Sequence, residues 1–395
     1  MKCRIDKSYC KAFLNFGKMP IANGFLKKKD FKKEYFFNLS VAFNNNLSLF
    51  QLKNNPHPKK MFNKNYPFYT SSSSLMVEHF NKLASWIKKK FKNKKKFKIL
   101  EIGSNDGTFL KNFKNKFHIG IEPSKSVHDF AIKNKINSIN KFFDNSIIKK
   151  FFKNKVKFDV IFGSNVICHI PDQNSLIKNI KKILNKNGMF VFEEPYLGSM
   201  YNKTSYDQVY DEHIYMFSAT SIQKIYNLHN LKLVDAIPQK THGGSMRYII
   251  KKNLNLKISK RLLNILKNER KENIDNFKGC LKFKKNVEKS KKNLMYKILK
   301  IKKKKRAICG YGATSKSTTI LNYCKIGPKI IDVIFDTTKD KINKYSPGMH
   351  IPIVDYKYFK KSNYKNIFLF AWNHKKEILK KEKNRKSCKW FSHIN

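Results

Sequence analysis

Residues 98–107 constrain this chain most. Residues 99–102 are an unbroken apolar run apart from Glu101, and Gly103 and Gly107 then bracket Ser104, Asn105 and Asp106. A helical pattern resumes at Thr108, Phe109 and Leu110. A buried strand that ends in such a turn exposes backbone N–H groups at a helix start, where a parallel sheet binds an anionic or zwitterionic cofactor. The spacing Gly-x-x-x-Gly is one glycine short of the dinucleotide pattern. Glu122 stands nineteen residues after Gly103, closing a second apolar stretch at 118–122, and an acid there suits a ribose diol. With Glu101 in the first strand and Glu122 after the second, S-adenosylmethionine is favoured over NAD.

The same rhythm continues to residue 195. Apolar strands are expected at 98–102, 118–122, 157–163 and 189–194, alternating with amphipathic helices, which is the pattern of a doubly wound parallel α/β sheet. His169 follows the third of these strands, on the edge where open sheets place their chemistry. Residues 35–52 read as a hairpin around Asn44, Asn45 and Asn46. Ser71 to Ser74 cap a helix from about Leu75, and Tyr66 and Tyr69 are candidates to line a pocket or pack that helix start. Residues 255–305 carry Leu and Ile at helical spacing and predict one or two long helices. A second strand–glycine start occurs at 306–317, followed by a strand from 329 ending in Asp336. It is a near miss to the phosphate loop, with Ser315 where the second glycine belongs, and reads as a Rossmann-like half unit. Residues 368–374 predict a later buried strand with Asn373 and His374 on its polar end.

With 395 residues, two or three domains are expected. The formal net charge is +57, from 84 Lys and Arg against 27 Asp and Glu. Such an excess suits nucleic acid or an acidic membrane surface when it is clustered. Here Lys is mixed with Asn, Ile and Phe along nearly the whole chain, so composition rather than a binding face explains it. The seven cysteines are an odd number, spread out and without a Cys-x-x-Cys pair, which fits a reducing compartment and no disulfide framework. No signal-like N-terminus and no apolar run of roughly 18–20 residues is present; a soluble cytoplasmic protein without nucleic-acid or membrane partners is expected.

The densest chemistry lies at 204–213. Tyr206, Tyr210, Asp211, Glu212 and His213 offer acids, a base and phenols within eight positions. Neighbouring residues on a regular element point apart and rarely share one metal ion, so general acid–base work fits better. Ser245 and Arg247, after the glycines of 241–249, are candidates to hold an acidic group of a substrate.

Together these stretches resemble the sugar C-methyltransferases of deoxysugar biosynthesis. The likeness is carried by Gly17 to Phe25, Leu100 to Thr108, Asn165 to Asp172, Ser205 to His213, His242 to Arg247, Gly310 to Ser317 and Phe370 to His374, and it covers nearly the whole chain. It implies a small zinc-type domain at 1–60, a class I S-adenosylmethionine-dependent methyltransferase domain at 61–250, a helical linker at 251–305 and a C-terminal Rossmann-like domain at 306–395. It implies methylation of a carbon α to the ketone of a nucleotide-linked keto-deoxysugar, by a monomer. By the same likeness His213 is the base, with Glu212 orienting it or shuttling the proton; which of the two takes the proton is open. Tyr210, His169 and Tyr69 line the active site. Glu101, Gly103, Asn105, Gly107, Glu122 and Asn165 contact the cofactor, and Tyr206, Ser245, Arg247 and Lys316 are set toward the substrate. The family's zinc ligands form two Cys-x-x-Cys pairs. This chain keeps Cys3, but Asp6, Asn44 and Leu47 stand at the other positions, so loss of the metal is expected, with packing alone holding that domain. A retired methyltransferase-fold scaffold and a basic RNA-binding protein are the alternatives.

Overall fold

The computed structural model describes residues 1–57, 61, 69–94, 97–113 and 117–394; Tyr66 lies outside them. Three sheets organise the chain. The first is antiparallel, β1 (Cys10–Pro20), β2 (Phe36–Asn44), β3 (Leu49–Leu52) and, far along the sequence, β9 (Tyr215–Met216). The expected hairpin is present, with Asn44 opposite Leu49. β9 begins two residues after His213 and pairs with β3 through Phe50 and Gln51, so the first sheet is tied directly to the residue 204–213 stretch.

The second sheet has seven strands in the order β10-β11-β8-β7-β4-β5-β6. These are β4 (Lys98–Ile102), β5 (Phe117–Ile121), β6 (Ser138–Ile139), β7 (Phe158–Ser164), β8 (Leu184–Pro195), β10 (Lys232–Gln239) and β11 (Ser245–Lys251). β4 through β8 run parallel, and β11 is reversed against β8. β7 is buried from Phe158 to Gly163, as a central parallel strand covered on both faces must be. The helix Ser74–Lys90 packs Phe80 against Phe109 and Phe162. Ser73 caps it, accepting a hydrogen bond from Met76 N–H. Each such buried aromatic contributes about 1.5–3 kcal/mol.

The third sheet is parallel throughout, β14-β13-β12-β15-β16, from β12 (Ile308–Tyr311), β13 (Ile334–Asp336), β14 (Ile353–Asp355), β15 (Asn366–Leu369) and β16 (Lys389–Phe391). The strand expected from 329 is only its last three residues, because 327–331 turn away. The strand expected at 368–374 stops at Leu369, and Trp372, Asn373 and His374 form a single turn on its rim. Two helices, Lys260–Lys271 and Phe277–Lys303, join the second sheet to the third. The longer one buries Phe283, Val287, Leu294 and Ile298 at helical spacing.

In both parallel sheets the strand order reverses beside the glycine turn: between β4 and β7, and between β12 and β15. That crevice is where open α/β sheets bind ligands.

The residues at the zinc positions do not fit that metal. Leu47 is buried and offers no ligand atom. Asn44, fully buried, spans the gap instead: its Oδ1 accepts from Leu47 N–H at 2.7 Å and its Nδ2 donates to Ser8 Oγ at 2.6 Å and Tyr9 O at 3.2 Å. Cys3 Sγ accepts from Ile5 N–H at 3.4 Å, and Cys10 Sγ from Gln51 Nε2 at 3.1 Å. Hydrogen bonds therefore hold the knuckle along with packing, contrary to the expectation of packing alone.

Candidate active site

One cavity of about 760 Å³ spans both crevices. Its first half is built by the turn after β4. Gly103 adopts φ +67°, and a Cβ there would stand 2.8 Å from Val166 Cγ2, so only glycine lets the two loops close. Asn105 follows with φ +48° and Asn165 with φ +52°, left-handed conformations that a side chain adopts only when its surroundings impose them.

Glu122 holds this turn: Oε2 accepts from Asn105 N–H at 2.9 Å and Oε1 from Ser124 N–H at 2.8 Å. Asn105 Oδ1 in turn accepts from Thr70 N–H at 3.0 Å, which ties down the segment entering the helix at Ser74. Burial pushes the Glu122 carboxyl upward, against the two N–H donors that favour its charge. Glu101 is pushed well above the carboxylate range by burial and then by the charges of Asp106 and Glu122. Its Oε2 is buried and accepts no hydrogen bond from the described residues. Asn165 Oδ1 is in the same state, while its Nδ2 donates to His242 Nε2 at 2.9 Å. These acceptors fit a cofactor that brings an ammonium group, a ribose diol and a sulfonium charge.

The chain's densest stretch forms the wall between the two halves. Tyr69, His169, Tyr210, Glu212 and His213 all line the cavity. His213 Nδ1 donates to Gln208 O at 2.7 Å, so Nδ1 carries the proton. Nε2 is then an acceptor, and the Tyr210 hydroxyl donates to it at 2.8 Å. The His169 ring stacks on it, with centroids 5.4 Å apart. Burial, and then the neighbouring His169, holds His213 well below the usual imidazole range; burial takes His169 to about 3. Both rings are therefore neutral at physiological pH. The acids behave oppositely. Burial pushes Asp211 and Glu212 above the carboxylate range, and for Glu212 the charge of Asp211 adds to it. Asp211 Oδ1 accepts from Ala22 N–H at 2.9 Å, and Glu212 Oε1 from Asn23 Nδ2 at 2.6 Å.

The third sheet closes the other side. Lys316 lies in the cavity wall, donates to His242 O at 3.2 Å and sits 5.1 Å over the Trp372 ring. Trp372 Nε1 donates to buried Asp207 at 2.6 Å, and His393 faces the same carboxylate at 3.1 Å. The helix Ser315–Tyr323 adds two further ties, Thr318 Oγ1 to Ala22 O at 2.8 Å and Thr319 Oγ1 to Val209 O at 2.9 Å.

Among the described residues one trio has metal-ligand atoms within 4.8 Å, namely Cys168, His169 and His213. His213 has both nitrogens engaged. The Cys168 thiol is held protonated by burial and by Glu194, so the set is not in ligating form.

The cavity gathers most of the residues assigned a catalytic, cofactor or substrate role from the sequence and leaves out four. Gly107 is outside the lining and serves the turn, at φ +76°. Tyr206 is fully buried, with its ring stacked on Phe16 and its hydroxyl toward Cys324. Ser245 turns its hydroxyl to Thr241 O. Arg247 Nε pairs with Glu193 at 2.5 Å, and His79 takes the other oxygen at 2.6 Å. Burial raises Glu193, but the His79 hydrogen bond and the Arg247 charge outweigh it and leave it below the ordinary range. Arg247 and Ser245 therefore lock the sheet rather than reach a ligand; the sheet alternation puts them on its covered side. Asn23, Gln208, His242 and Trp372 were not singled out for a role, although all four lie inside the stretches that carry the likeness.

Two family models match the chain: "Methyltransferase domain" over residues 76–236 and "C-methyltransferase C-terminal domain" over residues 240–393. The chain is similar to the C-methyltransferase NovU of Streptomyces niveus, 24% identical over 374 residues, covering 94% of this chain and 89% of that protein. It is also similar to the tRNA U34 carboxymethyltransferase of Sulfurimonas denitrificans, 26% identical over 156 residues, covering 37% of this chain and 47% of that protein. A solved S-adenosylmethionine-dependent methyltransferase from Clostridium acetobutylicum aligns over 44% of this chain and 91% of its own, with 14% identity and a TM-score of 0.34; at that score it carries no weight beside the sheet order and the matched domains. No helix among the described residues is long and apolar enough to cross a membrane. The fold is the expected α/β methyltransferase one, and the two matched domains with the likeness to NovU make the chain an S-adenosylmethionine-dependent methyltransferase similar to the C-methyltransferases.

Proposed function

We propose that this C-methyltransferase methylates a carbon α to the ketone of a nucleotide-linked keto-deoxysugar, with Glu212 as the base. The observation that carries the reading is the cavity itself: two strand-order crevices open into one space, and Tyr210, Glu212 and His213 stand on the wall they share. The crevice at β4 suits the cofactor, and the crevice at β12, with Lys316, suits the anionic carrier of the substrate.

S-adenosylmethionine, when bound, supplies an electrophilic methyl group. Glu122 would hold its ribose and Glu101 its ammonium, and Asn105 and Asn165 frame the turn. Glu212 takes the α-proton: its raised affinity for protons, caused by burial and Asp211, makes its carboxylate a stronger base than an ordinary one. The C–H electron pair passes to the ketone oxygen, which leaves the α-carbon nucleophilic toward the methyl that S-adenosylmethionine would supply, with its sulfur retaining the S–C pair. His213 is a poor base in this geometry, since Nδ1–H is fixed on Gln208 and Nε2 already accepts from Tyr210. It positions the Tyr210 hydroxyl, whose proton turns onto the developing enolate oxygen. His169 and Tyr69 line the same space as further donors. A single donor of this kind is worth about 3–4 kcal/mol.

The test is methyl transfer from carbon-13-labelled S-adenosylmethionine to a panel of nucleotide-linked keto-deoxysugars, with the product read by NMR. A carbon-bound methyl beside the ketone is expected. Glu212→Gln is expected to lower kcat by about 10²–10⁴-fold. A methyl on oxygen, or full activity in Glu212→Gln, refutes the reading.

A further inference from the structure

The small N-terminal lobe reaches into the reaction centre. β1 ends at Pro20, and residues 21–24 make a tight turn closed by Gly24 N–H on Ile21 O at 3.0 Å. The turn is pinned from two sides. Ala22 N–H donates to Asp211 at 2.9 Å, and Ala22 O accepts from Thr318 at 2.8 Å. Its tip residue, Asn23, lines the cavity and donates Nδ2 to Glu212 Oε1 at 2.6 Å. No other side-chain donor to Glu212 occurs among the described residues.

We infer that Asn23 is a positioning residue for Glu212, through which the N-terminal lobe sets the orientation and the ionisation of the carboxyl in the reaction. The inference rests on the proposed role of Glu212. Its physical basis is charge-assisted hydrogen bonding: an amide N–H aimed at a carboxylate stabilises the charged form more than the neutral one. Glu212 is buried beside another acid and pays for desolvation. The Asn23 donor opposes that cost and keeps the carboxylate accessible near neutral pH. It also fixes Oε1, leaving Oε2 as the oxygen that meets the α-carbon. The turn does not act alone. Ala22, held between Asp211 and Thr318, gives Asn23 its place, so the contact depends on the N-terminal lobe, the 204–213 stretch and the helix Ser315–Tyr323 being assembled together.

The groups that act on this carboxyl are Asp211 on its own stretch, Asn23 from the N-terminal lobe and the Cys168 thiol after β7, which the Glu212 charge pushes up; His213, Tyr210, His169 and Lys316 share the cavity with it. Of these, Asn23 alone is both neutral and a donor to Glu212.

The experiment compares full-length wild type with Asn23→Ala, Asn23→Gln and Asn23→Asp. Infrared difference spectra follow the protonated carbonyl band of Glu212 against pH, assigned by its disappearance in Glu212→Gln; no substrate is needed. In Asn23→Ala the band is expected to persist to higher pH than in wild type, and in Asn23→Gln, which keeps a donor, to move less. With substrate, kcat at neutral pH is expected to fall at least tenfold in Asn23→Ala, with KM within about threefold, and the loss is expected to shrink as pH rises. An unmoved titration, or a loss of kcat equal at every pH, overturns the inference, because a merely structural contact predicts the latter. Should Asn23→Ala fail to fold, Asn23→Asp keeps the shape and replaces the donor with an acceptor; the band must then move in the same direction, and its failure to do so overturns the inference equally. If the titration moves while wild type transfers no methyl to any keto-sugar, the proposed reaction fails and the coupling of Asn23 to Glu212 stands.

Discussion

At the scale of single residues, protonation decides what each group does. Glu101 is buried, raised, and one of its oxygens meets no donor among the described residues. A cationic ammonium beside it favours the carboxylate, so cofactor binding expels a proton. The folded carboxyl holds that proton over a range where a free one has lost it, and the sign follows: S-adenosylmethionine is expected to bind more tightly as pH rises above the ordinary carboxylate range. Calorimetry in buffers of different ionisation enthalpy is expected to show proton release on binding, and Glu101→Gln to abolish it. Glu122→Ala removes the acceptor for Asn105 and Ser124 N–H along with the proposed diol contact, and is expected to cost at least tenfold in cofactor affinity by the same method. Arg247 behaves differently. Its partner Glu193 is buried, so Arg247→Met leaves a charge uncompensated and is expected to destabilise the fold by about 3–5 kcal/mol in chemical denaturation. The KM for substrate is expected to stay unchanged in any fraction that folds.

Turns and strands show how much of this was legible. The strand–glycine unit at 98–107 declared both its strand and its ligand edge, because close backbone approach needs glycine and a buried parallel strand needs an apolar run. Glu122 and Glu101 follow from where strands end, which periodicity reveals, whereas Asn165 follows only from the family likeness. The direction a side chain takes across a loop is not periodic, and there the sequence was ambiguous: Arg247 and Ser245 looked ready to bind an anion but turn into the sheet. Asn23 sits in a turn of the first lobe and becomes part of the site only when that turn docks on residues nearly two hundred positions later. The knuckle makes the same point. The missing thiols were plain, but not that Asn44 bridges Ser8, Tyr9 and Leu47 in their place. Asn44→Ala strands buried partners and is expected to cost about 1–3 kcal/mol, while a zinc chelator leaves Tm unchanged and metal analysis finds no stoichiometric zinc. At Gly243, φ is +88° and a Cβ would lie 2.3 Å from the Trp372 ring. Gly243→Ala is therefore expected to displace Trp372 from Asp207, seen as a change in tryptophan fluorescence, and to lower kcat.

Across the whole molecule the lysine excess has one clear consequence. A net charge of +57 attracts polyanions from a distance, and salt screens that attraction. For a nucleotide-linked substrate, KM is expected to rise with ionic strength while kcat holds. The sheets themselves act as one body at the reaction centre: β9 ties the 204–213 stretch to the first sheet, the His169 ring after β7 stacks on His213 and ties it to the second, and Thr319 and Trp372 tie it to the third. The sequence's domain pattern shows no sign of this convergence, since each lobe has its own periodicity and the contacts among them are long-range.

The central claim is that Glu212 removes a proton from the carbon that receives the methyl group. The most direct measurement is exchange of that proton for deuterium in heavy water, with the demethylated cofactor bound so that transfer cannot follow. The account predicts steady exchange at the α-carbon of a nucleotide-linked keto-deoxysugar with wild type, exchange that strengthens as pH rises, and loss of it by about 10²–10⁴-fold in Glu212→Gln. Exchange that is indifferent to Glu212, while methyl transfer to carbon still proceeds, would contradict it.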